Sequence, residues 1–386
     1  MNRIPRLLVL ASTYPGREGD GTPAFVRDLA LQESQRFDTM VIAPRVPGSP
    51  AREEHDGLQV RRFRYFPRRW EDLADGAILE NLRARPSRWL QVLPLLFFEF
   101  WAVRRAVREF RPDVIHAHWI IPQGFVAALA APRVPRLLTT LGGDLYAFRR
   151  GPMRRVQGWV VRGSAAVTVM NEEMARIVTD LGATDVRVLP MGADLGAFRH
   201  HAARDRGQEP ELCLLFVGRM VEKKGLAVLL DALARTGPAV RLTVVGDGPL
   251  RAELEQRAPD GVVFAGQLGR SGLAAAYARA DVVVAPSVEA ASGDKDGLPV
   301  AMLEAMGSGC AVIASDLPGL NEAVVDGVSG LLTPSGDPAA LAAAIDKLDQ
   351  DRDLLRRLAH AAAERAENYS IEATGDRYVE LIRSLR

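Results

Sequence analysis

Basic residues follow the end of an apolar, strand-like run in the second half of the sequence. The run Leu212–Val217 is followed by Arg219, and Lys224-Gly225 opens the next predicted helix. Free backbone N–H groups at a helix start attract anions, and Arg219 and Lys224 add full positive charges to them. The pattern predicts a phosphate or diphosphate site, and a solvated basic turn is the alternative.

Two acidic residues, Asp296 and Glu304, flank the start of a predicted helix farther along the chain. Glu304 stands between apolar neighbours, where a carboxyl group is costly to bury without a hydrogen-bond partner. A ribose diol is one candidate partner, and a structural cap is the alternative. The backbone at the helix start is predicted to bind phosphate or sugar hydroxyls. It consists of Gly297, Leu298, Pro299 and Val300.

Several glycines and polar residues also follow strand-like runs in the first half. They are Gly19 and Gly21 in a glycine-rich loop, His116 and His118 at the end of one run, Asp144, and Asn171. Because ligands of doubly wound folds bind beyond the carboxyl ends of the strands, we expect these residues to ring one crevice. Strand alternation places both histidines on one face. No Cys/His cluster at ligand spacing accompanies them, so we expect no metal site.

Strand-like runs alternate with helical patterns along most of the chain, which is typical of βαβ units on parallel sheets. The series pauses at the polar segment His200–Glu211 and then restarts. The fold class we predict is α/β, with two doubly wound Rossmann-like domains that face each other across a cleft. The stretch Asp337–Arg386 is predicted to be helical, with a kink at Asn368–Ser370.

A second glycine-rich turn, Gly246-Asp247-Gly248, resembles the start of a dinucleotide fingerprint. Arg251 stands where the third glycine is required, and a tight turn explains the pattern adequately. We therefore expect no nicotinamide cofactor.

The composition is that of an ordinary globular protein: of 386 residues, 48% are hydrophobic and 25% are charged. Two cysteines cannot form a disulfide framework, which favours a reducing compartment. The first strand-like run begins so close to Met1 that we expect no signal peptide, and no apolar run is long enough to span a membrane. We expect a cytoplasmic protein.

The charge is distributed unevenly. Residues 1–200 carry a net charge of +8 and the remainder −7. A basic half favours an anionic partner, and arginines on solvated faces are the alternative. Nucleic acid is not expected, because the arginines are not interleaved with exposed aromatic residues along the half.

Membrane contact is predicted from one arginine cluster near an apolar stretch. The arginines lie close to Tyr65, Phe66 and Trp70, and the apolar stretch is Trp89–Trp101. Basic and aromatic residues together suit an anionic leaflet, whereas a helix buried on the sheet is the alternative for the stretch. The cluster consists of Arg61, Arg62, Arg64, Arg68 and Arg69.

Taken together, these motifs resemble retaining glycosyltransferase family 4, which has the GT-B fold. The resemblance covers nearly the whole chain in the right order. Its carriers are the glycine-rich loop after the first strand, DVIHAHW, TLGGDLY, PMGADLGAF, GRMVEKKGL, VVGDGPLR and GLPVAMLEAMGSGCAVIAS.

The resemblance implies transfer of a sugar from a UDP- or GDP-linked donor to a hydroxyl of a glycan, lipid-linked or small-molecule acceptor, as in polysaccharide biosynthesis. Residues 1–199 then bind the acceptor and residues 200–367 the nucleotide-sugar, while the helix 368–386 packs back on the first domain. The expected location is the cytoplasm, including a peripheral position at the inner face of the membrane.

The site roles that the resemblance implies fall on matching positions. Arg219 and Lys224 contact the diphosphate, Glu304 the ribose, Asp296 the transferred sugar, and His118 the sugar and acceptor. The mechanism is a metal-independent, front-face reaction without a cofactor. Gly19, Gly21, Asp144 and Asn171 are assigned to the acceptor and sugar side.

The sequence departs from the family pattern at the first acidic position. Asp296 is one methylene shorter than the usual Glu, and Glu289 is a rival for its role. An insertion, Ala290–Lys295, precedes the GLP motif, and Gly142 replaces a usual histidine. A nucleotide-sugar epimerase, a phosphorylase of the same fold and a non-catalytic nucleotide-sugar-binding protein are the alternatives.

Overall fold

A computed structural model describes residues 3–17, 22, 24–55, 57–76, 78–147, 151–199, 211–237, 239–291 and 293–386. Gly19, Gly21 and nearly all of the predicted linker lie outside the described residues. The chain divides into two compact units. Unit 1 comprises Met1–Met191 with Thr374–Arg386, and unit 2 comprises Gly192–Ala373.

The boundaries between the units lie after Met191 and after Ala373, whereas the predicted boundaries lay after residues 199 and 367. Ala193, Leu195 and Phe198 are buried in a core of unit 2, and Tyr369 packs against the same core. Ala193 also bridges to Ser370. The apolar side chains that follow Met191 therefore assign that segment to unit 2.

Unit 1 is built on an eight-stranded sheet with the order β3-β4-β2-β1-β5-β6-β7-β8. The described pairs are parallel except β3 with β4, which is antiparallel. The strands are β1 (Arg6–Leu10), β2 (Asp38–Pro44), β3 (Arg52–His55), β4 (Leu58–Phe63), β5 (Val114–His118), β6 (Arg136–Thr139), β7 (Ala166–Val169) and β8 (Val186–Val188).

Helices connect these strands and cover the sheet. They are α1 (Phe25–Ser34), α2 (Ile78–Ala84), α3 (Val92–Phe110), α4 (Phe125–Ala130), α5 (Gly143–Ala147), α6 (Pro152–Arg162) and α7 (Glu172–Asp180). On one face, Val103 and Phe110 of α3 and Val126 of α4 share a core with Ile115 of β5. Alternation along β5 therefore leaves His116 and His118 on the opposite face.

Unit 2 has a six-stranded parallel sheet with the order β11-β10-β9-β12-β13-β14. Its strands are β9 (Leu212–Val217), β10 (Val240–Val245), β11 (Val262–Gly266), β12 (Val282–Ala285), β13 (Ala311–Ser315) and β14 (Leu331–Thr333). Its helices are α8 (Leu226–Leu233), α9 (Arg251–Arg257), α10 (Arg270–Arg279), α11 (Val300–Gly307), α12 (Leu320–Ala323), α13 (Pro338–Gln350) and α14 (Arg352–Ala366). Apolar cores line both faces of the sheet, as is typical of central parallel strands.

The helical stretch is interrupted by a short 3₁₀ turn at Glu367–Tyr369, where a kink was predicted. Helix α15 (Ile371–Ser384) follows, and most of it belongs to unit 1. Tyr378 of α15 is fully buried and donates a hydrogen bond of 2.8 Å to the Leu189 carbonyl. The two α/β units with parallel sheets confirm the predicted fold class. The short strands β3 and β14 were not predicted.

Candidate functional site

The two predicted phosphate-binding residues of unit 2 lie on the turn that follows β9. The turn forms a 3₁₀ segment at Glu222–Lys224, and Gly225 follows with a φ of 66°. A Cβ atom at Gly225 would lie 1.8 Å from the Pro286 carbonyl oxygen, so only glycine fits there. The turn is therefore pressed against the residues that follow β12, and α8 begins directly after it.

Asp296 joins this cationic turn. Its carboxylate lies 2.9 Å from Lys224 Nζ and 3.9 Å from Lys223 Nζ, and its side chain is only 9% exposed. Ser287 donates a hydrogen bond of 2.9 Å to the same carboxylate. Glu289, the rival acid, is half exposed and lies 4.0 Å from Lys295 Nζ instead. Of the two acids, Asp296 is the one that the structure brings to Lys224.

Glu304 lies on α11, which begins at Val300 with Pro299 as its N-cap. The hydroxyl of Tyr277 on α10 is 3.1 Å from Glu304 Oε2 and 2.9 Å from the Ala301 carbonyl oxygen. Burial raises the pKa of Glu304 to about 7, against the lowering effect of the Tyr277 hydrogen bond. Glu304 is thus a carboxyl group with one neutral side-chain partner and no adjacent cation within ion-pair distance among the described residues. Tyr277 was not predicted, because its role depends on a contact between two helices.

The turn Gly246-Asp247-Gly248 has a structural explanation. A Cβ at Gly246 would lie 1.9 Å from the Gly218 carbonyl oxygen, and one at Gly248 would lie 2.5 Å from the Met220 carbonyl oxygen. The glycines permit close approach of this backbone to the turn after β9. The glycines therefore have a packing role next to the cationic turn, in agreement with the interpretation of this sequence as a tight turn.

In unit 1, His118 ends β5 and is fully buried. Neither ring nitrogen has a hydrogen-bond partner among the described residues. Burial, together with the neighbouring His116, holds the pKa of His118 well below its ordinary value, so the ring is neutral at pH 7. A buried imidazole with two unpartnered nitrogens retains its full capacity to donate and accept one hydrogen bond.

His116, in contrast, is fully hydrogen-bonded. Its Nδ1 is 2.7 Å from Glu33 Oε1 on α1, and its Nε2 is 2.7 Å from Thr139 Oγ1 on β6. Thr139 Oγ1 lies 2.6 Å from Thr168 Oγ1, and the Tyr378 hydroxyl lies 3.3 Å from Thr168 Oγ1. We call this set the His116 network.

The His116 network is buried. Burial lowers the pKa of His116 to about 3 and raises the pKa of Glu33 well above its ordinary value, so burial disfavours the charged form of both groups. The rings of His116 and His118 are 4.1 Å apart between centroids. Of the two histidines, His116 is held by the protein, whereas the ring nitrogens of His118 have no partner among the described residues, and its contact with the sugar and acceptor stays a prediction.

Asp144 and Asn171 stabilise the backbone around this region. Asp144 is buried and accepts hydrogen bonds from the Thr140 hydroxyl, at 2.7 Å, and from the Ile120 backbone N–H. Burial raises the pKa of Asp144 to about 6. Asn171 caps α7 by accepting a 2.9 Å hydrogen bond from the Met174 N–H. Both have local structural partners, and their assignment to the acceptor side stays a prediction.

The predicted membrane-facing cluster is only partly exposed. One arginine of the cluster and the neighbouring tyrosine point inward. Arg62 binds Glu53 and the Pro15 carbonyl with its side chain 1% exposed, and Tyr65 is 1% exposed. That part of the prediction was wrong, because alternation along β4 turns Arg62 toward the protein. The exposed residues near it are Arg64, Arg68, Arg69 and Trp70.

The apolar stretch forms an amphipathic helix. Leu95, Val103 and Phe110 of α3 are buried, as the buried-helix alternative requires for one face. The opposite face is exposed and apolar, and we call it the outer face of α3. It consists of Leu93, Phe97, Phe98 and Trp101 of α3 together with Trp89 and Leu90 of the preceding 3₁₀ turn, Pro86–Gln91, and these six side chains are 45–76% exposed. No helix among the described residues is long and apolar enough to cross a membrane.

Comparison with known proteins supports the resemblance. The profile of the family "Glycosyl transferases group 1" matches residues 211–351, and that of the "Glycosyl transferase 4-like domain" matches residues 21–192. Glycogen synthase of Mycobacterium tuberculosis is 32% identical over 277 residues, which is 67% of this chain and 65% of that protein. The match therefore spans less than two thirds of that relative's length.

Solved structures show the same fold. Sucrose-phosphate synthase from Thermosynechococcus elongatus aligns over 99% of both chains with a TM-score of 0.80 and 21% identity. Anabaena Alr3699/HepE, solved in complex with UDP-glucose, aligns over 98% of this chain and 99% of that chain with a TM-score of 0.73 and 21% identity. D-inositol 3-phosphate glycosyltransferase of Segniliparus rotundus is 31% identical over 351 residues, which is 80% of this chain and 76% of that protein. Since this relative and both profiles match along most of the chain, the chain belongs to the group 1 glycosyltransferases, the family 4 type with a GT-B fold.

Proposed function

We propose that the protein is a retaining glycosyltransferase that moves a sugar from a UDP- or GDP-linked donor to a hydroxyl of a glycan, lipid-linked or small-molecule acceptor. The observation that carries the proposal is the cationic turn after β9. Arg219 and Lys224 lie on that turn, beyond the carboxyl end of a parallel strand, where ligands of doubly wound sheets bind. The UDP-glucose complex of the Anabaena relative supports a nucleotide-sugar donor.

The donor is assigned to unit 2. The cations of the turn would stabilise the negative charge that grows on the departing diphosphate, without a metal ion. Glu304 would accept hydrogen bonds from the ribose diol, and the start of α11, from Gly297 to Val300, would bind the phosphate or sugar hydroxyls. Asp296 would approach the transferred sugar.

The acceptor is assigned to unit 1. His118 supports this assignment, because its two buried ring nitrogens have no partner among the described residues. In the front-face reaction the acceptor hydroxyl forms its bond to the anomeric carbon on the side from which the diphosphate departs. A diphosphate oxygen takes the hydroxyl proton, and the anomeric configuration is retained.

The test is a screen of UDP- and GDP-sugars for hydrolysis without an acceptor, followed by transfer to added glycans. Proton NMR of the anomeric signal should show retention, and activity should persist in EDTA. Lys224→Ala and Arg219→Ala serve as inactive controls. Inversion, or loss of activity in EDTA that magnesium restores, would contradict the mechanism. No turnover of any nucleotide-sugar would contradict the enzymatic function.

We also propose that the outer face of α3 contacts an anionic membrane from the cytoplasmic side. Seven large apolar side chains are exposed there when Trp70 is included, and Phe97 packs against Trp101 with ring centroids 6.4 Å apart. Arg105 and Arg108 continue the exposed surface of the same helix, and Arg69 stacks on Trp70 at 4.4 Å. Aromatic residues with nearby cations suit the headgroup boundary of an anionic leaflet.

Cosedimentation with vesicles tests the membrane proposal. We expect binding to phosphatidylglycerol-containing vesicles at low salt and weaker binding to phosphatidylcholine alone. Phe97→Glu should abolish binding, whereas Val263→Glu, at an apolar residue of β11 that is 60% exposed, should preserve it. Equal loss in both variants, or no binding by the unaltered protein, would contradict the proposal.

A further inference from the structure

Several bonds tie the segment between β12 and α11 to the cationic turn. The Val288 N–H donates to the Lys223 carbonyl at 2.9 Å, and the Ala291 N–H donates to Glu222 Oε1 at 2.9 Å. Lys223 Nζ forms an ion pair of 3.1 Å with Asp294. The segment therefore lies against the turn that is assigned to the diphosphate, and two of its acidic side chains, Asp294 and Asp296, face the lysines of that turn.

The pair between Lys224 and Asp296 differs from the surface ion pairs of the chain. The side chains are 20% and 9% exposed, and the distance of 2.9 Å is that of a charge-assisted hydrogen bond. Ser287, which is 2% exposed, donates to the same carboxylate oxygen and fixes it in place. The lysine that is assigned to the diphosphate already has an anionic partner.

We propose that Asp296 is a built-in counter-ion that competes with the diphosphate for Lys224. The inference rests on the proposed function and deepens it. A diphosphate that binds at the turn must take the ammonium group from the Asp296 carboxylate, which weakens its binding. When the nucleoside diphosphate product leaves, the carboxylate recovers the lysine, so the same pair promotes product release. Asp296 is here a residue that tunes affinity.

If Asp296 competes with the diphosphate, removing the negative charge of Asp296 should raise the affinity of the protein for diphosphates. Asp296→Asn keeps the side-chain volume, and its amide oxygen can still accept the hydrogen bond from Ser287. It cannot form the ion pair with Lys224. We expect UDP, GDP and inorganic pyrophosphate to bind about three- to tenfold more tightly, as breaking one partly buried ion pair allows. The product inhibition constant should fall by the same factor. A purely structural role would lower the melting temperature and weaken binding.

Isothermal titration with UDP, GDP and pyrophosphate tests the inference. Asp294→Asn is the matched control, since it removes an equal charge from the same segment but its carboxylate is paired with Lys223. The gain should be larger for Asp296→Asn than for this control, and it should disappear in the Lys224→Ala background.

The outcomes separate the two proposals. If the unaltered protein binds a diphosphate and Asp296→Asn binds it no better than Asp294→Asn, the counter-ion role is wrong and the proposed function stands. The same holds if the gain persists without Lys224. If no protein binds any of the three probes, the turn is not a diphosphate site and both proposals fail.

Discussion

Glu304→Gln should stabilise unit 2 and at the same time impair donor binding. Burial raises the pKa of Glu304 from 4.5 to about 7, so ionisation of this group lowers the free energy of unfolding. A difference of roughly 2.5 pKa units corresponds to about 3 kcal/mol, since each unit is worth about 1.4 kcal/mol. Gln has a similar size, can still accept from Tyr277 and never ionises.

The sign and the pH window follow from proton binding. Between pH 4.5 and 7 the folded carboxyl group holds its proton while the unfolded one has lost it, so stability falls as the pH rises through this window. We therefore expect Glu304→Gln to unfold at a higher temperature than the unaltered protein at pH 8. The difference should vanish at pH 4.5, where both side chains are neutral in the folded state.

Calorimetry at both pH values is the appropriate measurement, because all five tryptophans lie between Trp70 and Trp159 and report on unit 1. The donor Michaelis constant of Glu304→Gln should rise at pH 8, and that of the unaltered protein should rise below pH 7. Glu253→Gln, at an exposed glutamate of α9, should change neither. Destabilisation by Glu304→Gln at pH 8, with an unchanged Michaelis constant, would refute the ribose assignment and show a structural role.

Three further predictions concern the other charged and buried groups. Lys224→Ala and Arg219→Ala should each lower kcat about 10²- to 10³-fold, which steady-state kinetics would check. Calorimetry on the same preparations should show a lower melting temperature for Lys224→Ala, because that change leaves the Asp296 carboxylate without its closest cation. His118→Ala should impair transfer to the acceptor while titration shows nearly unchanged donor binding, and equal loss of both would contradict its assignment. Burial raises the pKa of Glu99 on α3 to about 8, so the stability of unit 1 should fall as the pH rises from 4.5 to 8. Tryptophan-detected denaturation should show a much smaller fall for Glu99→Gln, whose amide oxygen can still accept from Gln123.

The sequence was sufficient for the central strands of both sheets and for the position of Arg219 and Lys224 after β9. Central parallel strands are apolar on both faces and leave a strong pattern, as β1 and β13 illustrate. The residues after such strands can be assigned to one edge of a sheet before any contact is known. The pairing of Lys224 with Asp296 could not be predicted this way, because it depends on how the segment after β12 folds back.

The partners of buried polar groups were also beyond the sequence. Glu33 and Tyr378 belong to the His116 network, yet each is distant from His116 along the chain. Arg62 looked like a surface residue of a basic cluster, whereas one strand position turns it inward. The sequence gives the charge of a segment, whereas only the three-dimensional contacts show which way each charged side chain points.

The division of unit 1 in the sequence has a consequence for biosynthesis. Tyr378 packs its ring on His116 at 5.5 Å between centroids, and Gly375 of α15 meets Gln32 of α1 so closely that an added Cβ would lie 2.7 Å away. These contacts form only after the ribosome has translated all of Gly192–Ala373. While the second unit is synthesised, the nascent amino-terminal part of unit 1 therefore lacks α15, and the side of its sheet that α15 covers remains exposed. A fragment that stops before α15 would retain that uncovered surface permanently.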